Sequence, residues 1–274
     1  MSKKSSDWEL KTPLGATGQA FMGVKDEERL FFKLNTSPFV AALSAEGIAP
    51  RLKWAQRTID GDILTAQEWH DGRLLTPCDM MNSAVIELVK YIHCSDHLLN
   101  LLEKIHPKKT YPIDFIDDYF KGLPVALMNH QFFNEVIDFL ENDLDEAFYN
   151  VDYVVCHGDL HHLNFLESTS EHLYLVDWED VKIADPLSDV TFLLCQYFPP
   201  SQWSKWFAAY GEIMGDNFYK RVQWYSLMNV LRLIKHFYII KDYEKANRMI
   251  LLLRAIYKAA THSHRPSYPL LPNK

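Results

Sequence analysis

The sequence predicts an α+β protein of two lobes, a small β-rich N-terminal lobe over residues 1–70 and a larger, mainly helical lobe over residues 71–274. Two observations along the chain and one of composition predict this division. Short β-rich runs separated by turns extend as far as Glu68. Beyond residue 71, apolar residues recur at spacings of three and four, the period of amphipathic helices. A composition that is 48% hydrophobic and 14% aromatic provides enough apolar residues for a folded core.

Three strands and one helix are predicted in the N-terminal lobe. Ser37-Pro38 before FVAALSAEG predicts a helix that begins near the proline and ends at Gly47. The strand-like runs, each bounded by glycine or charged residues, are TGQAFMGV, RLFFKLN and ILTAQEW.

Five helices and two short strands are predicted in the C-terminal lobe. The helices are expected over residues 79–94, 130–143, 201–213, 216–239 and 242–260. The strands are expected over residues 153–156 and 173–176. The junction at residues 67–72 is expected to act as a hinge between the lobes, so that they can close on a ligand.

Composition argues against membrane, secreted and disulfide-stabilised classes. No apolar run reaches the roughly 18–20 residues of a membrane span. The N-terminus, MSKKSSDWELK, has no apolar segment after its lysines, so no signal peptide is expected. Four cysteines, none in a C-x-x-C pair, favour reduced thiols and a cytoplasmic protein over a disulfide framework or a zinc site: Cys78, Cys94, Cys156 and Cys195.

Charge is distributed unevenly along the chain. Residues 220–265 contain ten lysines and arginines against two acidic residues, whereas the whole chain has a net charge of −8. This basic region can be a solvated helical face, or it can help to receive a neutral or anionic substrate or a partner. A net-acidic chain gives no support to nucleic-acid binding.

The most informative stretch contains His157-Gly158-Asp159, then Asn164, then a second strand that ends at Val176-Asp177. Phosphoryl transfer needs a carboxylate near the acceptor hydroxyl, and a carboxylate and an amide that hold magnesium against the nucleotide phosphates. The sequence therefore predicts an ATP-dependent small-molecule kinase with Asp159 as base and Asn164 and Asp177 as Mg²⁺ ligands. Taken alone, Asp159 could be a residue that only forms a turn, and Asn164 could be a residue that only holds the loop together.

Three histidines in this stretch admit other interpretations. The spacing of His157, His161 and His162 follows no zinc-ligand pattern, and no cysteine pairs with them. His157 is expected to pack under the loop and bond its backbone. His161 is a candidate catalytic residue directed at the transferred phosphoryl group, and a surface loop histidine is the equal alternative.

Asp185-Pro186 and Asp189 are predicted to begin a helix. Proline in the first turn and acidic side chains at the N-terminus are ordinary helix-start residues, which is a sufficient explanation for Asp185. Asp189 is expected to anchor the catalytic loop by accepting hydrogen bonds from its backbone N–H groups.

Lys33 lies within an apolar strand, RLFFKLN, so its ammonium group must reach solvent or meet an anion. Kinase-like sites need a lysine on the α- and β-phosphates, held by a helix glutamate. Glu46, on the one helix predicted in this lobe, is the candidate partner of Lys33.

Two further segments are candidate nucleotide contacts. The loop PLGATGQ, with Gly18, could cover phosphates with its backbone N–H groups, although it lacks the full G-x-G-x-x-G pattern and could be a plain hairpin turn. Gln67, Glu68 and Trp69 fall at the lobe junction, where backbone groups would bond adenine.

These residues resemble a known family. HGDLHHLN followed by LYLVD is similar to the aminoglycoside phosphotransferase and choline kinase superfamily, which has a bilobal protein-kinase-like fold. Within it, the chain most resembles the CcrZ/YtmP-like proteins of Gram-positive bacteria, on the phrases FFKLNTSPF, ALSAEGIAP, LTAQEW, LTPCDM and VQWYSLMNVLRLIKHFY.

The resemblance implies a kinase that uses ATP and Mg²⁺ to phosphorylate a ribosyl or 2-deoxyribosyl sugar or nucleoside. It also implies a role in timing replication against division, and hence possible cell-division or replication proteins as partners. By position in the motif it implies Asp159 as base, Asn164 and Asp177 as metal ligands, and Lys33 with Glu46 as the nucleotide pair.

The charge and aromatic content of the chain narrow the chemical class of the acceptor. Polycationic aminoglycosides should prefer an acidic rim, and choline needs an aromatic cage with a nearby acid, whereas the C-terminal region is basic. Trp224 and Tyr225 are candidates for an aromatic wall under a sugar, and a helix-packing pair is the alternative.

Two function classes stay open from the sequence. The first is an active small-molecule kinase, with thiamine or choline as less favoured acceptors than a sugar or nucleoside. The second is a regulatory protein that binds ATP and acts through partners. The four residues Lys33, Asp159, Asn164 and Asp177 together favour the first class.

Overall fold

The computed structural model describes residues 8–14, 20–211 and 216–262. The strands are β1 (Glu9–Leu14), β2 (Ala20–Lys25), β3 (Glu28–Leu34), β4 (Leu52–Arg57), β5 (Ile63–Glu68), β6 (Gly72–Leu74), β7 (Val154–Cys156), β8 (Phe165–Ser168), β9 (Leu173–Leu175) and β10 (Lys182–Ala184). The helices are α1 (Val40–Ala45), α2 (Ser83–His93), α3 (Asp96–Ile105), α4 (Pro112–Phe120), α5 (Val125–Met128), α6 (Gln131–Asn142), α7 (Pro186–Tyr197), α8 (Trp203–Tyr210), α9 (Asp216–Ile239) and α10 (Tyr243–His262).

The N-terminal region is an antiparallel sheet of order β1-β2-β3-β5-β4. In β3, Leu30 and Phe32 are buried and pack with Ala66 of β5 into a small core of their own. Strand side chains alternate between the two faces of a sheet, so Lys33 points away from this core. The Lys33 ammonium group therefore lies on the face of the sheet opposite this small core.

A larger core fills the helical C-terminal region. Helix α7 is buried on nearly every face and packs against α9, the longest helix. A helix that is buried on nearly every side needs no polar face, and even the polar residues Ser188, Asp189 and Thr191 of α7 are buried. The region is organised around this helix, which begins directly after the candidate catalytic segments.

Two small sheets carry the candidate site. Strands β7 and β10 pair with each other, and a second sheet has the order β6-β8-β9. Gly72 of β6 lies so close to β8 that an added Cβ atom would stand 2.1 Å from the carbonyl oxygen of Glu167. Only glycine permits this approach, so the segment after the N-terminal sheet is held against the catalytic region.

The predicted α+β class is confirmed, with a β-sheet N-terminal region and a helical C-terminal region. Three helices are confirmed close to their predicted bounds, those expected over residues 130–143, 216–239 and 242–260. The helix expected over 79–94 is instead a 3₁₀ turn, Pro77–Met81, followed by α2. No described helix is long and apolar enough to cross a membrane.

Candidate active site

The candidate catalytic loop leaves β7 at Cys156 and turns sharply at Gly158. Gly158 has a φ of +86°, and an added Cβ atom would lie 2.3 Å from the carbonyl oxygen of Asp180. A side chain here would be both strained and in collision with backbone. The glycine therefore allows the loop to pack against the segment before β10 and to project Asp159 beyond it.

Asp189 of α7 anchors this loop from beneath. Its carboxylate is buried and accepts the backbone N–H groups of His157 at 2.6 Å and Gly158 at 2.8 Å. His93 lies 3.4 Å from the same carboxylate. Burial alone would raise the pKa of Asp189, but the contacts with His93, His157 and the loop N–H groups lower it overall. An ionised carboxylate thus fixes the start of the loop.

His157 links the loop to the strand before Asp177. Its Nε2 lies 2.9 Å from the carbonyl oxygen of Val176, and its Nδ1 accepts the backbone N–H of Asp159 at 3.2 Å. A ring that donates from Nε2 and accepts at Nδ1 is neutral. Burial lowers the pKa of His157 and outweighs the opposing influence of Asp189. The lowered pKa favours the same neutral form.

This neutral form predicts a pH-dependent stability. Below pH of about 6.5 an unfolded histidine binds a proton that folded His157 resists, so the free energy of unfolding falls as pH falls. The His157→Gln variant should lose this part of the dependence, with a slope smaller by up to about 1.4 kcal/mol per pH unit. Urea unfolding between pH 7 and 5 measures it, with exposed His106→Gln as control. Equal slopes in wild type and His157→Gln would contradict the assigned form.

Asp159 and Asn164 occupy the same loop. The Asn164 side-chain amide donates to the carbonyl oxygen of Asp159 at 2.9 Å, which ties the two ends of the loop together. His161 Nε2 stands 3.3 Å from the Asp159 carboxylate. Burial works to raise the pKa of Asp159, but the contact with His161 and the nearby charge of Arg232 lower it overall. Asp159 is thus an ionised carboxylate, the form that can accept a proton.

Lys33 connects the N-terminal sheet to the second carboxylate. Its Nζ lies 2.7 Å from Asp177 and 2.8 Å from Glu179, and the hydrogen bonds with these two residues outweigh burial and raise the pKa of Lys33. Asp177 has a φ of +65°, an uncommon conformation for a residue other than glycine and one that concentrates at functional sites. The backbone turn directs its half-exposed carboxylate toward Lys33.

The predicted pairing of Lys33 with Glu46 is not formed. Glu46 follows the last residue of α1, accepts the Tyr91 hydroxyl at 2.7 Å and lies 3.7 Å from His97. Its carboxylate is therefore held by the helical region. Glu179 takes the place expected for Glu46, and the alternation of acidic residues in the sequence DWED was the signal that could have identified it.

Two substitutions test whether Glu46 acts together with Lys33. Lys33→Met should lower kcat/KM for ATP by about 10- to 150-fold, the equivalent of the 1.5–3 kcal/mol of one charged hydrogen bond. Glu46→Gln should change it by less than about twofold, because it removes only a half-exposed charge contact. Steady-state kinetics with varied ATP measures both. Equal losses in the two variants would mean that Glu46 reaches Lys33 when nucleotide binds.

The other predicted nucleotide contacts are distributed along the lobe junction. Gly18 lies outside the described residues. Gln67 is buried and donates to the carbonyl oxygen of Pro50, so its side chain is engaged in the fold. Glu68 pairs with Lys53 at 2.9 Å, and the Trp69 indole donates to Asp71. The backbone N–H groups of Glu68 and Trp69 also donate within the fold, to the carbonyl oxygens of Arg51 at 2.8 Å and Arg29 at 3.4 Å, so contact between this segment and adenine stays a prediction.

The prediction of Trp224 and Tyr225 as an aromatic wall is wrong. Both side chains are fully buried in the core, and the Trp224 indole donates to the carbonyl oxygen of Leu140 in α6. Tyr225 stacks edge-on against Phe115. Periodicity placed the pair on a helix correctly but could not tell which face of α9 meets solvent.

Oxygen donors at the site suit magnesium. Asp177 offers a half-exposed carboxylate, and the Asn164 amide uses its nitrogen toward Asp159, which leaves its oxygen available. Carboxylate and amide oxygens are ligands that Mg²⁺ accepts. A separate buried group, His93, Cys156 and Asp189, has metal-like spacing, but its carboxylate already accepts two backbone N–H groups and His93 Nδ1 is bonded to the Tyr210 hydroxyl.

A pocket of about 390 Å³ adjoins the catalytic loop. It is lined by side chains of α4, β10 and α9, and two of these touch the loop itself. Arg232 donates to the carbonyl oxygen of Gly158 at 3.3 Å, and the side chain of Lys182 packs beside the same glycine. Sequence reasoning identified neither residue, although the basic character of residues 220–265 pointed to the helix that carries Arg232.

The two-region fold, with a lysine from the sheet that meets an aspartate beside an HGD loop, is the arrangement of a phosphotransferase. Residues 25–225 match the phosphotransferase enzyme family. The match covers most of the chain, and the protein therefore belongs to this family.

Solved structures with the same fold are kinases of small molecules. Choline kinase LicA from Streptococcus pneumoniae has a TM-score of 0.68 at 17% identity, covering 92% of this chain and 96% of that one. A choline/ethanolamine kinase family protein from Mesorhizobium loti has a TM-score of 0.65 at 19% identity, covering 97% and 93%. The GDP and kanamycin complex of an aminoglycoside 2″-phosphotransferase has a TM-score of 0.65 at 14% identity, covering 95% and 96%. At these identities the likeness establishes the fold.

Proposed function

We propose that this protein transfers the γ-phosphoryl group of ATP to a hydroxyl of a ribosyl or 2-deoxyribosyl sugar or nucleoside. The observation that carries the proposal is the ion pair of Lys33 with Asp177, beside a loop that presents Asp159. It brings a nucleotide-binding cation from the sheet to the carboxylates of the helical region. Phosphoryl transfer requires these two parts to act on one substrate pair.

Nucleotide use is supported by the relatives and by charge. The LicA kinase has a structure with AMP, and the aminoglycoside phosphotransferase has one with GDP. Lys33 is a permanent cation held at the mouth of the candidate site, where polyphosphate oxygens can replace or join its carboxylate partners. Asn164 and Asp177 would hold Mg²⁺, which when bound neutralises charge on the phosphates.

Asp159 is proposed as the base. Its carboxylate would accept the proton of the acceptor hydroxyl as that oxygen bonds to the γ-phosphorus, while the bond from phosphorus to the bridging oxygen of ADP breaks. His161, 3.3 Å from Asp159, would hold the carboxylate in place and adjoin the transferred group. Asp189 and His157 would position the loop without contacting substrate.

The acceptor class rests on charge and on the resemblance to CcrZ/YtmP-like proteins. The pocket beside the loop is lined by four lysines and arginines against two aspartates. Such a surface repels choline and polycationic aminoglycosides, the acceptors of similarly folded kinases, and accepts neutral or anionic sugars. The resemblance extends the proposal to a role in cell-cycle control through replication or division proteins.

An acceptor panel tests this proposal. ADP release from Mg-ATP would be measured with ribose, deoxyribose, nucleosides, choline, thiamine and an aminoglycoside, with the Asp159→Asn variant as control. We expect turnover with a ribosyl acceptor that disappears in the variant. Turnover only with choline, thiamine or the aminoglycoside would contradict the acceptor class. ATP binding without turnover on any acceptor would favour a regulatory protein that acts through partners.

A further inference from the structure

The pocket beside the catalytic loop holds cations that lack carboxylate partners. Among the described residues, neither Lys182 nor Arg232 lies within ion-pair distance of an acidic side chain. The Arg232 guanidinium bonds only neutral oxygens, those of Asn229 and Gly158, and Lys182 lies 5.5 Å over the ring of Phe115. Partly buried cations without a counterion are costly, and a bound anion offsets that cost.

Other charges in the pocket do not neutralise this pair. Asp118 is bonded to Lys121 at 2.5 Å, and Lys235 donates to carbonyl oxygens at the end of α4, including that of Tyr119 at 2.8 Å. Asp180 is the remaining acid, at a distance beyond an ion pair from either cation. Burial and the neighbouring Arg232 charge lower the pKa of Lys182, and the more distant charges of Asp180 and Asp189 do not offset them.

Apolar and hydroxyl groups complete the pocket. Phe115 and Tyr119 provide aromatic surface beside the cations, and Ile239 provides an aliphatic side. The Tyr119 hydroxyl is buried with no hydrogen-bond partner among the described residues. A buried hydroxyl without a partner is uncommon and suggests a ligand that supplies one. Together these groups suit a molecule with a sugar or base ring and an oxyanion.

We propose that the acceptor bears a phosphate group, as in a pentose phosphate or a nucleoside monophosphate, and that Lys182 and Arg232 bind this phosphate. This inference rests on the proposed kinase function and specifies its substrate. Arg232 touches Gly158, the residue before Asp159, so an acceptor anchored there has its hydroxyl within a molecule's length of the base. The phosphate would then orient the acceptor, and Asp159 would act on a different hydroxyl.

Matched acceptor pairs test the inference. Rates would be compared for ribose against ribose 5-phosphate and for nucleosides against their 3′- and 5′-monophosphates. We expect kcat/KM to be about tenfold or more higher for the phosphorylated member of a productive pair, as for other charge-assisted contacts. In Lys182→Met this advantage should fall to less than about threefold, because one of the two cations that would bind the phosphate is removed. Lys104→Met, an exposed lysine of α3 with the same charge change, should preserve the advantage.

A second variant and a binding measurement keep the test decisive. Tyr119→Phe removes a hydroxyl without a partner, so it should fold normally and weaken only the phosphorylated acceptor. Calorimetry with the Asp159→Asn protein measures binding of nucleoside monophosphates without turnover.

The outcomes separate this inference from the proposed kinase function. If no acceptor is turned over and nucleoside monophosphate binding is lost in Lys182→Met, the kinase function is overturned but the anion site is kept. Turnover without a phosphate preference, or a preference unchanged in Lys182→Met, would overturn this inference alone. Equal losses for both members of a pair would instead assign Lys182 to the transferred phosphoryl group and also overturn it.

Discussion

Replacing Asp159 by asparagine should lower kcat by about 10²- to 10⁴-fold, the range that a positioned general base contributes. Asparagine keeps the size of the side chain but cannot accept the hydroxyl proton. The loop should stay in place, because its anchors are the Asp189 carboxylate and the His157 ring rather than the Asp159 side chain. KM for ATP should therefore change little.

Comparison with His161→Gln sharpens this result. His161 contacts the Asp159 carboxylate at 3.3 Å but has no other assigned part in proton transfer. We expect a loss of about tenfold for His161→Gln, the value of one weakened charge-assisted contact. Initial rates at saturating ATP, with circular dichroism for folding, measure both variants. A full rate in Asp159→Asn would remove Asp159 as base and leave positioning and charge as the sources of catalysis.

Local segments of the site could be predicted from the sequence because they are close together in it. His157, Asp159, Asn164 and Asp177 lie on one loop and at the end of the next strand, so their order almost determines their proximity. Strand β7 delivers the loop, and β8 and β9 return the chain to Asp177 within thirteen residues of Asn164. Hydrogen bonds within this unit then follow from local geometry.

Contacts between distant segments could not be predicted in the same way. Glu46 and Glu179 are both acidic residues at plausible positions, and only the packing of α1 beside Tyr91 determines that Lys33 meets Glu179. Lys182 and Arg232 are fifty residues apart and meet because β10 and α9 both flank the catalytic loop. The periodicity of a sequence contains no information about contacts between residues so far apart in the chain.

Two strands of the N-terminal sheet, β1 and β4, are edge strands, and neither is among the three strand-like runs named from the sequence. In β4 the side chains alternate between exposed and half-buried, so the run LKWAQR has no apolar face of the usual kind. Strand β1 contains Pro13, which is tolerated at an edge because no neighbour needs its N–H. Edge strands therefore give the weakest sequence signal.

Replacing Asp189 by asparagine should lower the free energy of unfolding by about 3–5 kcal/mol, the cost of breaking a buried charged network from one side. The carboxylate gives one oxygen to the N–H of His157 and the other to the N–H of Gly158. Asparagine has one acceptor oxygen, so its NH₂ group would face a backbone donor. One N–H group would remain buried without a partner, and the 3.4 Å contact with His93 would lose its carboxylate oxygen.

Urea unfolding measures this loss, and Asp117→Asn, an exposed aspartate of α4, provides the control with the same chemical change. We expect the control to unfold within about 0.5 kcal/mol of wild type. Amide hydrogen exchange at His157 and Gly158 should accelerate in Asp189→Asn more than exchange in β3 does, because the anchor is local to the loop. A wild-type midpoint in Asp189→Asn would mean that water or another group can satisfy both N–H donors, and the loop would then be held chiefly by Gly158 and the His157 ring.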